Sequence, residues 1–385
     1  PKDVKNVVRN WCNLRQCHRG LEKEKMSLES AQAIINQDID EIIQAVGDNY
    51  FLPLAGKNLL ITGPQGLLAG YIVDTIARLN ETILKGAPCS VLGLSRSPIT
   101  QKSRLGYLLK RPNIFLRQHD VTKRYPFYFN CDPEFIIHAA GRSAPSTFTQ
   151  DPIGTIDINV NALRWMLELA MEGGRAKSLA MFSSSEIYGN PPAEYIPTPE
   201  IYHGNSDPLG IRNCYTESKR CAEAMCLAFN IKHNVPVKIF RPALVYGPGF
   251  SMNDKRVINE FIIQAIKGIP IQLRDDGAAR RSYCYIKDAM IIFWRAFLSD
   301  KNGEVFNIGD PNMREVTIKD LAAFVHETCG IKEPPKEGKA FSMTGSPDRV
   351  CLSMTKVINT FGPIPSTSLE EGLKRTVAWA RERVS

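Results

Sequence analysis

Short apolar runs alternate with longer amphipathic stretches from residue 58 onward, as in strands joined by crossover helices in a parallel sheet. Runs at 58–62, 90–94, 114–117, 135–138, 178–183 and 237–241 predict six parallel strands, which suit a doubly wound α/β domain. Beyond residue 241, helical patterns at 257–266 and 318–328 mix with short turns and predict a smaller mixed α/β domain over the carboxyl edge of the sheet. That edge is where open α/β sheets bind ligands. Ahead of the first strand, Ile34, Ile35, Ile39, Ile42, Ile43 and Val46 fall on one helical face and Gly47 follows as a stop signal. The expected organisation is a helical extension over 1–50, a dinucleotide-binding domain over 51–241 and a mainly substrate-binding domain over 242–385, interleaved with the second.

Composition narrows the function classes. With 385 residues, 43% apolar and 23% charged, the chain is globular and not a disordered polymer. The net charge of +8 is spread among acidic residues without a basic run, which argues against a nucleic-acid partner and favours a small anionic substrate. The sequence has no apolar stretch of about 20 residues for a membrane span, and 1–20 is polar and basic where a signal peptide needs an apolar core. A cytoplasmic location is the expectation. The ten cysteines are scattered and read as reduced thiols; Cys12, Cys17 and His18 approach one another but have no second cluster downstream, so no metal site is expected.

The candidate chemistry sits at strand ends. After the first strand come Gly63, Gln65, Gly66 and Leu67 at the start of a helical pattern, where glycines let backbone amides approach a pyrophosphate. Ala69 takes the third position of that fingerprint, which governs helix packing. The second strand ends at Ser95 and Arg96 without the acid that commonly meets an adenosine ribose, so Arg96 either faces a 2′-phosphate or is a solvated residue. NAD and NADP both stay open. Asp120, followed by Val121, is either an adenine contact or a turn former. Ser183, Ser184, Ser185, Glu186, Ile187, Tyr188 and Gly189 follow a later strand, and Tyr215 and Lys219 then lie one helical turn apart on one face. A lysine cation beside a phenol of ordinary pKa about 10 favours the phenolate and yields a base near neutral pH.

Taken in order, Thr62-Gly63, His138-Ala139-Ala140-Gly141, the serine-rich segment, Tyr215/Lys219, Arg241-Pro242, Tyr246-Gly247-Pro248 and Phe306-Asn307-Ile308-Gly309 resemble the extended short-chain dehydrogenase/reductases, in particular the nucleotide-sugar epimerase/dehydratase family. Within it, the stretch from Ser184 to Lys219, the following residues to Cys226, and Met252-Asn253-Asp254 are most similar to UDP-glucuronate decarboxylases, also called UDP-xylose synthases.

The resemblance implies a Rossmann domain holding a recycled, tightly bound NAD or NADP through the glycine loop, Ser95, Arg96, Asp120, Val121, Ala139, Ala140, Gly141, Asn159, Tyr215 and Lys219. It implies transient oxidation of a nucleotide sugar at carbon 4, with Tyr215 as base. Ser184 would steady the reacting oxygen, while Ser185, Glu186 and Arg281 would handle the sugar and its carboxylate. Arg256, Arg274 and Arg349 would meet the nucleotide and its phosphates. Ser185 stands where a 4,6-dehydratase carries an aspartic acid, and Glu186 has no task in a simple 4-epimerase. Decarboxylation is therefore the first reading, with 4-epimerisation or dehydration as alternatives and a non-catalytic cofactor-binding regulator as the third. Leu244 stands where relatives often have Asn, and Arg274 where Tyr is common. A homodimer is expected, because relatives pair the Tyr/Lys helix and its neighbour in a four-helix bundle.

Overall fold

The computed structural model describes residues 28–123, 133–172, 174–210, 212–336, 338 and 347–384. Cys12, Cys17, His18 and the front of the predicted extension lie outside the described residues. A seven-stranded parallel sheet forms the centre, in the order β10-β6-β5-β4-β1-β2-β3. Its strands are β1 (Asn58–Thr62), β2 (Ser90–Ser95), β3 (Ile114–Gln118), β4 (Phe135–His138), β5 (Ser178–Phe182), β6 (Val237–Pro242) and β10 (Glu304–Ile308). The first six begin where the apolar runs predict and end within a residue of them.

The six-strand expectation is corrected by β10, which pairs in parallel with β6 from Glu304↔Lys238 to Ile308↔Pro242. Its sequence hides it: Glu304 and Asn307 interrupt the apolar run, yet Asn307 is fully buried. Such burial is tolerated because the amide is satisfied on both sides. Tyr188 donates to its Oδ1 at 2.7 Å, and its Nδ2 donates to the carbonyls of Thr198 at 3.0 Å and Ser353 at 3.1 Å.

Strand order reverses between β1 and β4, whose register runs from Leu59↔Phe135 to Thr62↔His138. A crevice at the carboxyl ends of these two strands follows, and it is the ligand-binding place of this architecture. Two small sheets accompany the large one. One joins β8 (Arg280–Arg281) to β11 (Val316–Thr317) and β12 (Arg349–Val350); the other pairs β7 (Leu244–Tyr246) with β9 (Tyr283–Tyr285). The predicted helical patterns beyond 241 appear as Val257–Ile266 and Ile318–Cys329.

The N-terminal helix covers 28–46 and buries Ala31, Ile35, Ile39, Ile42 and Val46 in the same core as the sheet. Gly47, at φ +93°, ends it and donates its N–H to the Ile43 carbonyl at 2.9 Å. The carboxylate of Asp38, wholly buried on this helix, accepts from Tyr71, Tyr285 and Arg375, each at 2.8 Å. Those partners stand on the helix Leu67–Glu81, on β9 and on the helix Leu369–Val384. The extension is thus tied at one point to both the first crossover helix and the C-terminal helix.

Candidate active site

Thr62 ends β1 with its hydroxyl buried, accepting the N–H groups of Ala139 at 3.2 Å and Ala140 at 3.1 Å and meeting His138 Nδ1 at 3.1 Å. The hydroxyl donates its hydrogen bond to an unprotonated Nδ1, so the single N–H of His138 is on Nε2 and donates to the Ile158 carbonyl at 3.0 Å. Burial pushes His138 down to about 3, so the imidazole stays neutral and serves as a strut between β4 and the segment Asp157–Ala162. That segment is a turn of π-helix, a rare geometry that often marks functional sites.

Against this frame Gly63 turns the chain at φ +68°. A Cβ built there would lie 2.8 Å from Ala140 Cα, so only glycine allows the loop to close on Ala139 and Ala140. Gly66 caps the helix Leu67–Glu81, with Leu67 packed partly against the core. Gln65 Nε2 donates to Ser95 Oγ at 2.8 Å and links the loop to the end of β2. Arg96 is exposed just beyond. Its positive charge is felt by Asp120, whose carboxyl lies below its ordinary value despite partial desolvation because it accepts from the Thr122 hydroxyl and N–H. Asp120 therefore forms a turn, within reach of the Arg96 charge. Val121 is buried against Leu92 and Leu94.

The helix Asn213–His233 brings Tyr215 and Lys219 to the end of β5, both almost completely buried. Lys219 Nζ donates to the Phe182 carbonyl at 2.6 Å and lies 5.8 Å from the Tyr215 ring centre. A Cβ on Gly141 would sit 3.8 Å from that Nζ and 3.9 Å from Asn159 Oδ1, so Gly141, Asn159 and Lys219 converge. Asn159 donates to Ser218 Oγ at 2.8 Å, which orients it. Its buried Oδ1, like the Ser183 hydroxyl, has no partner among the described residues. The glycine cradle, these two unsatisfied polar atoms and the lysine fit a nicotinamide dinucleotide: Gly63 to Leu67 would hold its pyrophosphate and Lys219, Asn159 and Tyr215 its reactive end.

The acidification expected of Tyr215 is absent from the chain alone. Burial pushes the phenol up to about 12, opposed by its hydrogen bond with Ser184 and the field of Arg256, while Glu186 raises it further. Burial likewise pushes Lys219 down to about 8, against the field of Glu223. In each case desolvation is the largest cause, and the ammonium spends a donor on the Phe182 carbonyl 5.8 Å from the ring centre.

Ser184 accepts the Glu186 N–H at 3.2 Å and caps the short helix Ser185–Tyr188. The Glu186 side chain reaches Arg212, with 3.4 Å between Oε2 and NH2. Arg212 also stands 5.9 Å over the Phe148 ring, whose other neighbour is the Tyr215 ring, stacked at 4.9 Å and 10°. Neither Arg212 nor Phe148 is among the residues singled out from the sequence. Arg212, one turn ahead of the tyrosine, left a spacing signal; Phe148 left none.

The substrate-side arginines are spoken for to different degrees. Arg256 is held by Asp254 through Nε at 2.8 Å and NH2 at 2.5 Å. Arg349, expected to meet a phosphate, is held in a fork by Glu315 at 2.7 and 2.5 Å. Arg281 donates to the carbonyls of Arg280, Asp348 and Pro347 between 2.7 and 3.1 Å, and Glu186 contributes to its electrostatic surroundings. Arg274 is half exposed and pairs with Glu260 at 3.0 Å. Leu244 begins β7 opposite Tyr283.

A glycine cradle at the sheet's switch point, beside a buried tyrosine and lysine one turn apart, defines an extended short-chain dehydrogenase/reductase. Residues 59–309 match the model of the NAD dependent epimerase/dehydratase family, and the chain belongs to that family. It is 32% identical over 320 residues to UDP-glucuronic acid decarboxylase 5 of Arabidopsis thaliana, covering 83% of this chain and 88% of that one. It is 28% identical to UDP-glucuronic acid decarboxylase 1 of Xenopus tropicalis, covering 99% of this chain and 87% of the other.

Among crystal structures, UDP-glucose 4-epimerase of Thermotoga maritima with UDP-glucose superposes with a TM-score of 0.73 at 23% identity, over 85% of this chain and 100% of that one. A dTDP-glucose 4,6-dehydratase of Streptomyces venezuelae with NAD bound gives 0.69 at 21% identity, over 84% and 97%. These structures share the fold.

Proposed function

We propose that this chain decarboxylates a nucleotide-linked hexuronic acid of the UDP-glucuronate type by way of transient oxidation at carbon 4. The observation that carries the reading is the meeting of Tyr215, Ser184 and Glu186 at the end of β5, beside the Gly63 cradle, in a relative of UDP-glucuronic acid decarboxylases. Tyr215, once ionised, accepts the proton of the carbon-4 hydroxyl, and Ser184 holds the phenol in place. A nicotinamide bound there would supply reversible hydride acceptance at carbon 4 and a positive charge near the phenol that favours its ionisation. Protonated Tyr215 and Ser184 are positioned to donate to the carbon-4 oxygen, where negative charge gathers as carbon dioxide leaves. Carbon 5, which loses its bond to the departing carboxyl, takes up a proton from solvent, and Glu186 and Ser185 are the residues assigned to the sugar, its carboxylate and that proton return.

The family's cofactor dependence supports NAD over NADP, with Arg96 as the residue that decides between them. Uniformly labelled UDP-glucuronate, incubated with the chain and NAD or NADP, should release labelled carbon dioxide with a UDP-pentose as product, and faster with NAD. A carbon-4 epimer with all its label retained would overturn decarboxylation and leave epimerisation.

The reading extends to assembly and location. A homodimer is supported by apolar side chains left in solvent beside the helices at 157–172 and 213–233: Ile153 is 73% exposed, Leu209 91% and Ile231 81%. Light scattering on the intact chain should give twice the 43.0 kDa chain mass, and the monomer mass would refute it. A reducing, cytoplasmic setting is supported by buried thiols outside any disulfide at Cys226, Cys284 and Cys351 and is tested by locating the tagged protein in cells. Among the described residues no helix is long and apolar enough to cross a membrane.

A further inference from the structure

Arg212 and the arginines expected on the substrate side differ in how firmly they are held; Arg274 pairs with Glu260 at 3.0 Å. Arg256 and Arg349 are each gripped by a carboxylate through two nitrogens at 2.8 Å or less. Arg281 is directed at three backbone carbonyls. Among the described residues the Arg212 guanidinium makes one polar contact, 3.4 Å to Glu186, and that glutamate is 40% exposed. Charge-assisted pairs of good geometry are much shorter, about 2.7–2.9 Å, so this pair is loosely made and cheaply opened. Its position is nonetheless fixed. Arg212 precedes the helix Asn213–His233 and lies over one face of Phe148, whose ring stacks on Tyr215.

We propose that Arg212 is the residue that receives the substrate's carboxylate, exchanging Glu186 for the carbon-6 carboxylate of the sugar. The inference rests on the decarboxylase reading. Glu186 in this view stands in for the ligand: a carboxylate whose charge reaches the phenol already meets the guanidinium, a planar fork suited to that group. A uronic acid whose carbon-4 hydroxyl meets Tyr215 carries its carboxylate two carbons away, and Arg212 is the loosely held cation linked to that phenol through a single ring. When the carboxylate takes Arg212, Glu186 is released toward the sugar.

The exchange has a kinetic signature. Negative charge leaves the carboxylate as its bond to carbon 5 breaks, so a cation holding it stabilises the bound substrate at least as much as the transition state. Arg212 therefore contributes to binding and not to the speed of carbon dioxide loss.

Arg212→Met and Arg212→Lys are to be compared with the unaltered chain, both charged with NAD. The readouts are kcat and KM with UDP-glucuronate and the dissociation constant of UDP-glucose, which carries a neutral hydroxymethyl group in place of the carboxylate. Arg212→Met should raise KM for UDP-glucuronate roughly 10- to 100-fold, the range for losing a hydrogen bond to a charged group. It should leave kcat within about threefold and UDP-glucose binding unchanged, and Arg212→Lys should recover part of the loss. Equal weakening toward both nucleotide sugars, or a collapse of kcat with KM unchanged, overturns the assignment. If the unaltered chain turns over no UDP-glucuronate, the decarboxylase reading fails and this inference with it; if it does and Arg212→Met matches it, the inference alone fails.

Discussion

Tyr215→Phe is expected to lower turnover of the nucleotide sugar by about 10²–10⁴-fold, the contribution of a positioned acid or base, with the fold undisturbed. The phenyl ring keeps its stack on Phe148 and its burial, so only the proton-transferring oxygen is lost. Carbon dioxide release read beside an unchanged circular dichroism spectrum is the check, and a variant with full activity would refute the assignment of Tyr215 as base.

The same residue sets the pH dependence. A base works ionised, so rate should rise with pH through the phenol's pKa in the complex. The bond from Ser184 lowers that pKa, and Ser184→Ala should displace the rising limb to higher pH. Movement in the opposite direction would remove Ser184 from its assigned place.

The second large effect concerns stability. Arg241, on β6, and Glu223, on the helix of Tyr215, form a buried fork: Nε to Oε1 is 2.9 Å and NH2 to Oε2 2.6 Å, each side chain 10% exposed. Arg241 also donates from NH1 to the Tyr188 hydroxyl and the Glu200 carbonyl, both at 2.9 Å. Glu223→Ala leaves that guanidinium buried without its counter-charge, a loss of about 3–5 kcal/mol. The urea midpoint should fall accordingly, and a change within experimental scatter would show that water or another acid replaces the carboxylate. Because Glu223 also raises the Lys219 ammonium, its loss should push that lysine lower still. Glu223 and the reactive pair thus share one helix, with Glu223 one turn beyond Lys219.

Much of this was readable in residue order. The six strands are legible because a sheet covered on both faces demands continuous apolar runs, and the N-terminal helix because burial on one side imposes a period near 3.6. The cradle could be located from Gly63 and Gly66, since a positive φ next to a strand leaves a glycine in the sequence. Tyr215 and Lys219 were legible because their spacing is local. By contrast, β10 escaped because Asn307 breaks its apolar run and its side-chain amide is satisfied by Tyr188, Thr198 and Ser353, all from other segments.

The sequence by itself determined the elements, the glycine turn and the residue types at the strand ends, because each depends on neighbours within a few positions. Tertiary structure alone decided which arginines are committed and which is loosely held, for Glu315 reaches Arg349 and Glu186 reaches Arg212 only after the chain has folded back on itself. It also decided the protonation of the site. Desolvation depends on everything packed around a group, and it leaves the phenol of Tyr215 less acidic than its lysine neighbour suggests.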